Sequence, residues 1–444
     1  MTSRRRGVGL TPMETRRDVI VQTAVLADEL GYEIFAVPEG WGLDSTPLLT
    51  EIALRTARIR LASSILSVWG RTPATLAMTA ATLDLVCGGR YVLGLGASTK
   101  ALAEGFHDTA FEHPAAKLRD VVTKVRALLA GQPAQLGHIP AARPLRLGQP
   151  PAPDLPIWVA ALGHHTTRVA AELGDGWIPA LVARDRLPGW TAQLTQLRDG
   201  AAPHARPLTV AAGPITAADQ NAGAARDIAA ACTAWYLGAM GEVYARSLSG
   251  QGYAAEVQAI IAANPHPSPR GGTIPPSAEV ILDQLAAYGT CDQVREQLQP
   301  WDHAADIVTI LLPPGMPWPN IEATLLAAAP STRPVHPRNL SDLPNRRSGL
   351  LRPTTPLTRR VQTVRNMNRD AVQRISLHSP NFRYSADPVE VRLAERPDLR
   401  ASVCDLPDAT CRTERRLGGR SPRPSPSHSM TPSIDVARCR LDPV

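Results

Sequence analysis

Lysine is nearly absent from this 444-residue chain: Lys100, Lys117 and Lys124 are all it has, and every other basic side chain is arginine or histidine. Aromatic residues are also scarce at 4%. No apolar run approaches the roughly 20 residues of a membrane span, so no membrane partner is expected. Six cysteines (Cys87, Cys232, Cys291, Cys404, Cys411, Cys439) form no CxxC pair and no regular spacing. That argues against a zinc site and against a disulfide framework. The start, Met1-Thr2-Ser3-Arg4-Arg5-Arg6, is basic but leads into a short strand and a polar helix without the apolar core of a secretory signal. The expected compartment is the cytoplasm.

What remains is unevenly distributed. The formal charge is +7, yet residues 331–444 hold 21 Arg against 11 acids, while the rest of the chain holds 26 basic against 29 acidic residues. The excess positive charge therefore belongs to the last quarter of the chain, and no specific nucleic-acid partner is expected of the rest. All eight Trp lie between Trp41 and Trp318, and beyond Pro330 only Phe382 and Tyr384 are aromatic. A segment so poor in large apolar groups, with runs such as Ser421-Pro422-Arg423-Pro424-Ser425, cannot offset the entropy of ordering its backbone. The expected division is a folded domain over 1–330 and a disordered tail over 331–444.

Within the first part the punctuation repeats. Gly7-Val8-Gly9-Leu10 reads as a strand. Thr11-Pro12-Met13-Glu14 then has the makings of a helix start, with Thr11 as cap, Pro12 in the first helical position and Glu14 closing a capping box. Thr46-Pro47 and Thr72-Pro73 open the next two helices by the same pattern. Strand starts fall at Gly7, Tyr32, Ile59, Arg90, Ile157, Trp177, Leu208 and Asp306. Eight parallel strands alternating with helices predict an α/β (β/α)8 TIM barrel. The stretch from Ala217 to Gln299 is then a helical insertion before the last strand. A doubly wound open sheet is the competing fold, and no GxGxxG follows the first strand to favour it.

In such a barrel the reacting groups gather at the C-terminal ends of the strands. Glu39 follows the second strand, Ser64 and Ile65 the third, and Gly96 and Ala97 the fourth. After the fifth come Ala161, Gly163, His164, His165 and Thr166, where a strand turns into a helix whose free N–H groups and dipole suit a phosphate. Each has a plainer reading: Glu39 as a solvated loop acid, the glycines as steric strand ends, the last segment as an ordinary loop.

Several dispersed runs, in order, resemble one family. They are Arg58-Ile59-Arg60-Leu61, Arg71-Thr72-Pro73-Ala74, Gly88-Gly89-Arg90-Tyr91-Val92-Leu93-Gly94-Leu95-Gly96, Ala170-Ala171-Glu172-Leu173-Gly174-Asp175-Gly176-Trp177, and Tyr288-Gly289-Thr290-Cys291-Asp292-Gln293-Val294. Together they look like the luciferase-like flavin-dependent oxidoreductases, and most like the branch that uses the deazaflavin coenzyme F-420. The resemblance covers residues 7 to about 329 and implies F-420 or FMN as cofactor, with a small organic molecule as substrate. It implies a non-prolyl cis peptide at Ser64–Ile65, against which the flavin ring rests. It further implies that Glu39 and Trp41 line the ring, Gly96 and Ala97 lie at its edge, and Ala161 and Gly163 to Thr166 face the phosphate side. The chain departs from the family in two places. Gly40 stands where many relatives have His, and Ala97-Ser98-Thr99 stands where the sugar-phosphate-oxidising members have Glu. His107 is the replacement candidate for the missing acid–base partner. A homodimer is left open. Two other readings stay in play: a cofactor-free barrel lyase or isomerase built on Glu39, and a binding protein that has lost catalysis.

Overall fold

Eight strands close on themselves in the computed structural model, which describes residues 4–135, 139, 141–201 and 206–330. Residues 331–444, where the sequence predicts a tail, lie outside the described residues. In chain order the strands are β1 (Arg6–Leu10), β2 (Ile34–Val37), β3 (Arg60–Ser63), β4 (Leu66–Ser67), β5 (Tyr91–Gly96), β6 (Ile157–Ala160), β7 (Gly176–Ile178), β8 (Thr209–Ala212), β9 (Ile215–Ala218), β10 (Ala286–Gly289) and β11 (Ile307–Leu312). The pairing runs β1-β2-β3-β5-β6-β7-β8-β11, all parallel, and β11 returns to β1 with Val8 opposite Ile310. This is the (β/α)8 barrel that the eight strand starts predict.

The helices between the strands are α1 (Arg17–Glu29), α2 (Ser45–Arg55), α3 (Pro73–Cys87), α4 (Lys100–Gly105), α5 (Pro114–Leu129), α6 (His164–Leu173) and α7 (Leu187–Ala201). Of the three Thr-Pro openings only the third acts as expected. Thr72 accepts from Thr75 N with Pro73 in the first turn, and Gly88 ends α3 in the left-handed region at φ 68°. At the second, Asp44 is the cap, two residues ahead of Thr46. The first is no capping box. α1 begins at Arg17, and the buried Glu14 carboxylate instead accepts from Arg16 and from Gly315 N at 2.9 Å, tying the loop after β1 to the loop after β11. A contact across 301 residues outweighed a local capping pattern.

The insertion before β11 is also more than helical. It carries α8 (Ala222–Ala239), α9 (Glu242–Leu248), α10 (Ala254–Ala263), α11 (Glu279–Leu285) and α12 (Cys291–Gln297). Between α11 and α12 runs β10, paired parallel to β9. Thr290 and Gln293 form a capping box at the start of α12. The seventh strand of the barrel breaks into β8 and β9 at Gly213, where any Cβ would overlap the Thr309 backbone. α13 (Trp318–Ala328) completes the last unit.

Alternation along the strands sends one set of side chains to the helices and the other inward. The inward set splits into two levels. Ile34, Val92, Trp158 and Ile307 pack together and plug the lower barrel, with the Arg60 guanidinium 5.6 Å from the Trp158 ring centre. Toward the C-terminal end the inward positions are Gly9, Ala36, Ala62, Gly94, Gly96 and Ala160. Small side chains there fill little of the upper barrel, and Ala160, Ile178, Thr309 and Leu311 are only half-buried although they sit on core strands.

Candidate active site

The floor of that upper level is built where the third strand breaks. The Ser64–Ile65 peptide is cis, at the position the resemblance implies. Ser63 Oγ donates to Gly94 O and accepts from Gly94 N, and the buried Tyr91 hydroxyl stands 3.0 Å from it. Ser64 and Ile65 are half-buried, facing accessible space. A Cβ on Gly96 would lie 3.1 and 3.2 Å from Ile65 Cγ1 and Cδ1 and 3.3 Å from Ala160 Cβ. The missing Cβ of the buried Gly96 thus lets the half-buried Ile65 and Ala160 close over it as one low surface. Ala97 beside it is buried, and its carbonyl accepts from Trp69 Nε1 at 2.7 Å.

One wall is the loop after β2. Glu39 Oε2 accepts from Arg71 Nη2 at 2.7 Å and from Ser45 N and Oγ at 3.3 Å. Burial pushes the Glu39 carboxyl above its ordinary value, and the opposing pull of Arg71 does not cancel this. His107 is not brought to it. Its ring lies on Gly70, where a Cβ would be 2.8 Å from His107 Cε1, and edge-on to Phe106. Among the described residues no hydrogen bond joins His107 to Glu39. Trp41 is 43% exposed and tilts against Trp235 of α8, with ring centres 6.5 Å apart.

The opposite wall is the β6–α6 turn. Gly163 is the N-cap of α6 and no side chain caps the helix, so its first-turn N–H groups remain available at the strand end. Gly163, His164 and His165 are exposed, and Thr166 Oγ1 folds back to donate to Gly163 O at 2.9 Å. Ala161 is buried beneath, its carbonyl accepting from Trp177 Nε1.

The insertion roofs this space. α8 is 18 residues long, about 27 Å at the helical rise. Trp235 near its end meets the loop after β2, and Gly241 just beyond lies against Thr99 after β5. The buried Gln251 accepts from Ala183 N after β7 at 2.9 Å. Loops from three sides of the mouth are therefore tied to the insertion.

Sequence reasoning missed Arg71, Asp44 and Trp235. Arg71 stood in view within Arg71-Thr72-Pro73, but as part of a family pattern without a role. Asp44 was hidden behind the Thr46-Pro47 pattern. Nothing local marked Trp235 as a partner of Trp41.

The arrangement suits a flat ring with an anionic arm: a barrel end floored by small residues, one half-buried acid, and a helix N-terminus open to a phosphate. Residues 1–305 match the family model described as luciferase-like monooxygenase. A Mycobacterium tuberculosis protein described as a coenzyme F-420-dependent oxidoreductase is 30% identical, over 63% of this chain and 86% of that one. The solved coenzyme F-420-dependent tetrahydromethanopterin reductase of Methanopyrus kandleri superposes with a TM-score of 0.55 at 18% identity, covering 74% of this chain and 98% of that one. The oxygenating constituent of Pseudomonas putida 3,6-diketocamphane monooxygenase, solved with FMN, gives 0.52 at 16% identity, covering 74% and 99%. At those identities the structural likeness speaks for the fold alone.

Proposed function

This chain belongs to the luciferase-like monooxygenase family, and from that premise we propose that it is an oxidoreductase that binds the deazaflavin F-420 and exchanges hydride with a small organic carbonyl or alcohol. The observation that carries the reading is the low surface of half-buried Ser64, Ile65 and Ala160 over Gly96, at the C-terminal end of the barrel strands. The 30% identity to a relative described as F-420-dependent favours the deazaflavin over FMN. When bound, the cofactor supplies the hydride carrier; the protein supplies position, charge and exclusion of water.

Each residue then has a task. Ser64, Ile65, Gly96 and Ala97 support the ring, and Trp41 and Ala161 bound its sides. Gly163, His164, His165 and Thr166 hold the phosphate through backbone N–H groups and the positive end of α6. Glu39, with its carboxyl held above the ordinary range by burial, keeps or moves a proton at the substrate oxygen. His107, on the loop after β5, stands against Gly70 and apart from Glu39. The roof formed by α8 keeps water out of the space beneath it.

A homodimer fits a second feature. α3 is apolar nearly all round, with Met78, Leu85 and Val86 exposed, and Leu54 of the adjoining α2 is exposed as well. No exposed residue between Ala74 and Val86 is charged, which suits a second copy of the same face.

The test is turnover by Glu39→Gln, which keeps shape and removes proton chemistry. The expected loss is about 100- to 10,000-fold with cofactor affinity nearly unchanged. Normal turnover by this variant would reduce Glu39 to a wall of the pocket.

A further inference from the structure

Glu39 shares its cation. Arg71 Nη2 lies 2.7 Å from Glu39 Oε2 and 3.0 Å from Asp44 Oδ1, so one guanidinium nitrogen joins two carboxylates of the same loop. The three groups differ in access to water. The Glu39 and Arg71 side chains are 13% and 15% exposed, whereas Asp44 is 54% exposed. They also differ in how their oxygens are used. Glu39 Oε2 takes Arg71 and both Ser45 donors, while Oε1 takes no donor among the described residues. Asp44 Oδ1 takes Thr46 N and Oγ1 at 2.8 Å. One oxygen of Glu39 is thus anchored and the other is left for chemistry.

We infer that Arg71 and Asp44 are positioning residues for Glu39, Arg71 pinning Oε2 so that Oε1 handles the proton, and Asp44 passing that proton between Glu39 and water. The inference rests on the reading of Glu39 as the proton-handling group. The balance is simple. When Glu39 gives its proton to the substrate oxygen, a carboxylate remains on Arg71. Asp44 takes one proton from a solvent hydronium or buffer acid and yields it to Glu39, so that Asp44 ends as a carboxylate again, Glu39 is protonated, and no electron moves. The other titratable groups nearby do not serve this route. Tyr91, beneath on β5, is engaged with Ser63 Oγ, and His107 lies on Gly70 without a hydrogen bond to either acid among the described residues. Burial pushes Glu39 up, Arg71 pulls it back and the Asp44 charge pushes it up again. Burial also pushes Asp44 up, but the Thr46 hydrogen bonds and Arg71 bring it below its ordinary value. The buried member thus holds its proton more tightly than the solvent-side member.

The experiment titrates the Glu39 carboxyl in the cofactor-free, full-length protein by infrared difference spectroscopy, with Glu39→Gln identifying its band. Asp44→Asn preserves the helix cap, since Asn caps as well as Asp. Removing the like charge should lower the Glu39 midpoint by about half a pH unit or more. Arg71→Met should raise it, and Arg71→Lys should restore most of the difference. In the loaded enzyme, Asp44→Asn should move the pH profile of kcat in the same direction, enlarge the solvent isotope effect and leave KM unchanged. If Arg71→Met fails to fold, the half-exposed Asp44 still decides the matter. An unmoved Glu39 midpoint in Asp44→Asn overturns the inference. A moved midpoint in a protein whose turnover ignores Glu39→Gln sinks the functional reading instead and leaves the pairing intact.

Discussion

Two glycines on one strand, two residues apart, should fail in opposite ways. A Cβ on Gly94 would overlap the Ser63 carbonyl oxygen, which is backbone and cannot step aside without moving the break between β3 and β4. Gly94→Ala should therefore destabilise the barrel by about 3 kcal/mol, the upper end for overpacking. At about 2–4 °C for each kcal/mol in a domain of this size, the melting temperature should fall by about 6–12 °C. A Cβ on Gly96 meets only side-chain atoms, at 3.1 to 3.3 Å, and Ile65 and Ala160 need give just a few tenths of an ångström. Gly96→Ala should cost the fold about 1 kcal/mol, or about 2–4 °C. Its new methyl nevertheless pushes Ile65 and Ala160 toward the space where the ring is proposed to rest. Cofactor affinity should fall at least tenfold, about 1.4 kcal/mol. Thermal melting by circular dichroism and cofactor titration by fluorescence, run on both variants, separate the two effects. A Gly96→Ala protein that binds the cofactor as tightly as the unaltered chain refutes the placement of the ring.

Other outcomes follow from the same geometry. Gly163→Asp puts a good N-cap on α6 at an ordinary extended backbone, so stability should hold or rise by a few tenths of a kcal/mol. The added negative charge should weaken binding of a phosphate-bearing cofactor tenfold or more, and unchanged affinity would place the phosphate elsewhere. Asp28 accepts from the backbone N–H groups of Ala57, Arg58 and Ile59 at 2.7 to 3.0 Å, and Asp28→Ala should lower unfolding free energy by about 2–4 kcal/mol in a urea titration. Burial works against the Asp28 charge, but those donors hold its carboxyl below the ordinary value. Its contribution is therefore complete above the unfolded-state value and is lost as pH falls through the lower folded-state value, and the alanine variant should lack that acid-side loss. Met78→Lys with Leu85→Lys should convert a dimer to a monomer in light scattering without loss of melting temperature, and an unchanged mass would move the interface off α3.

The barrel was legible because its signals are local. A strand such as Tyr91–Gly96 announces itself by an apolar run after Gly88-Gly89, and Thr72-Pro73 caps its own helix. The failures share one cause. Glu14 has the spacing of a capping residue but is claimed by Gly315, and β10 is a short run that becomes a strand only because β9 offers an edge. At the candidate site, Glu39, Gly96 and Gly163 could be singled out because strand ends are predictable once the strands are. Arg71 and Asp44 could not, because what marks them is their meeting with Glu39 across a loop pair. Trp235 meets Trp41 only once α8 has crossed the mouth.

The most direct test of the account is to titrate the purified chain with F-420 and, separately, with FMN, following absorbance and fluorescence. Saturable binding of F-420, tighter than that of FMN and lost in Gly96→Ala and Gly163→Asp, is the predicted result. Binding of neither by the folded protein would contradict the claim that the C-terminal end of this barrel is a flavin-type redox site.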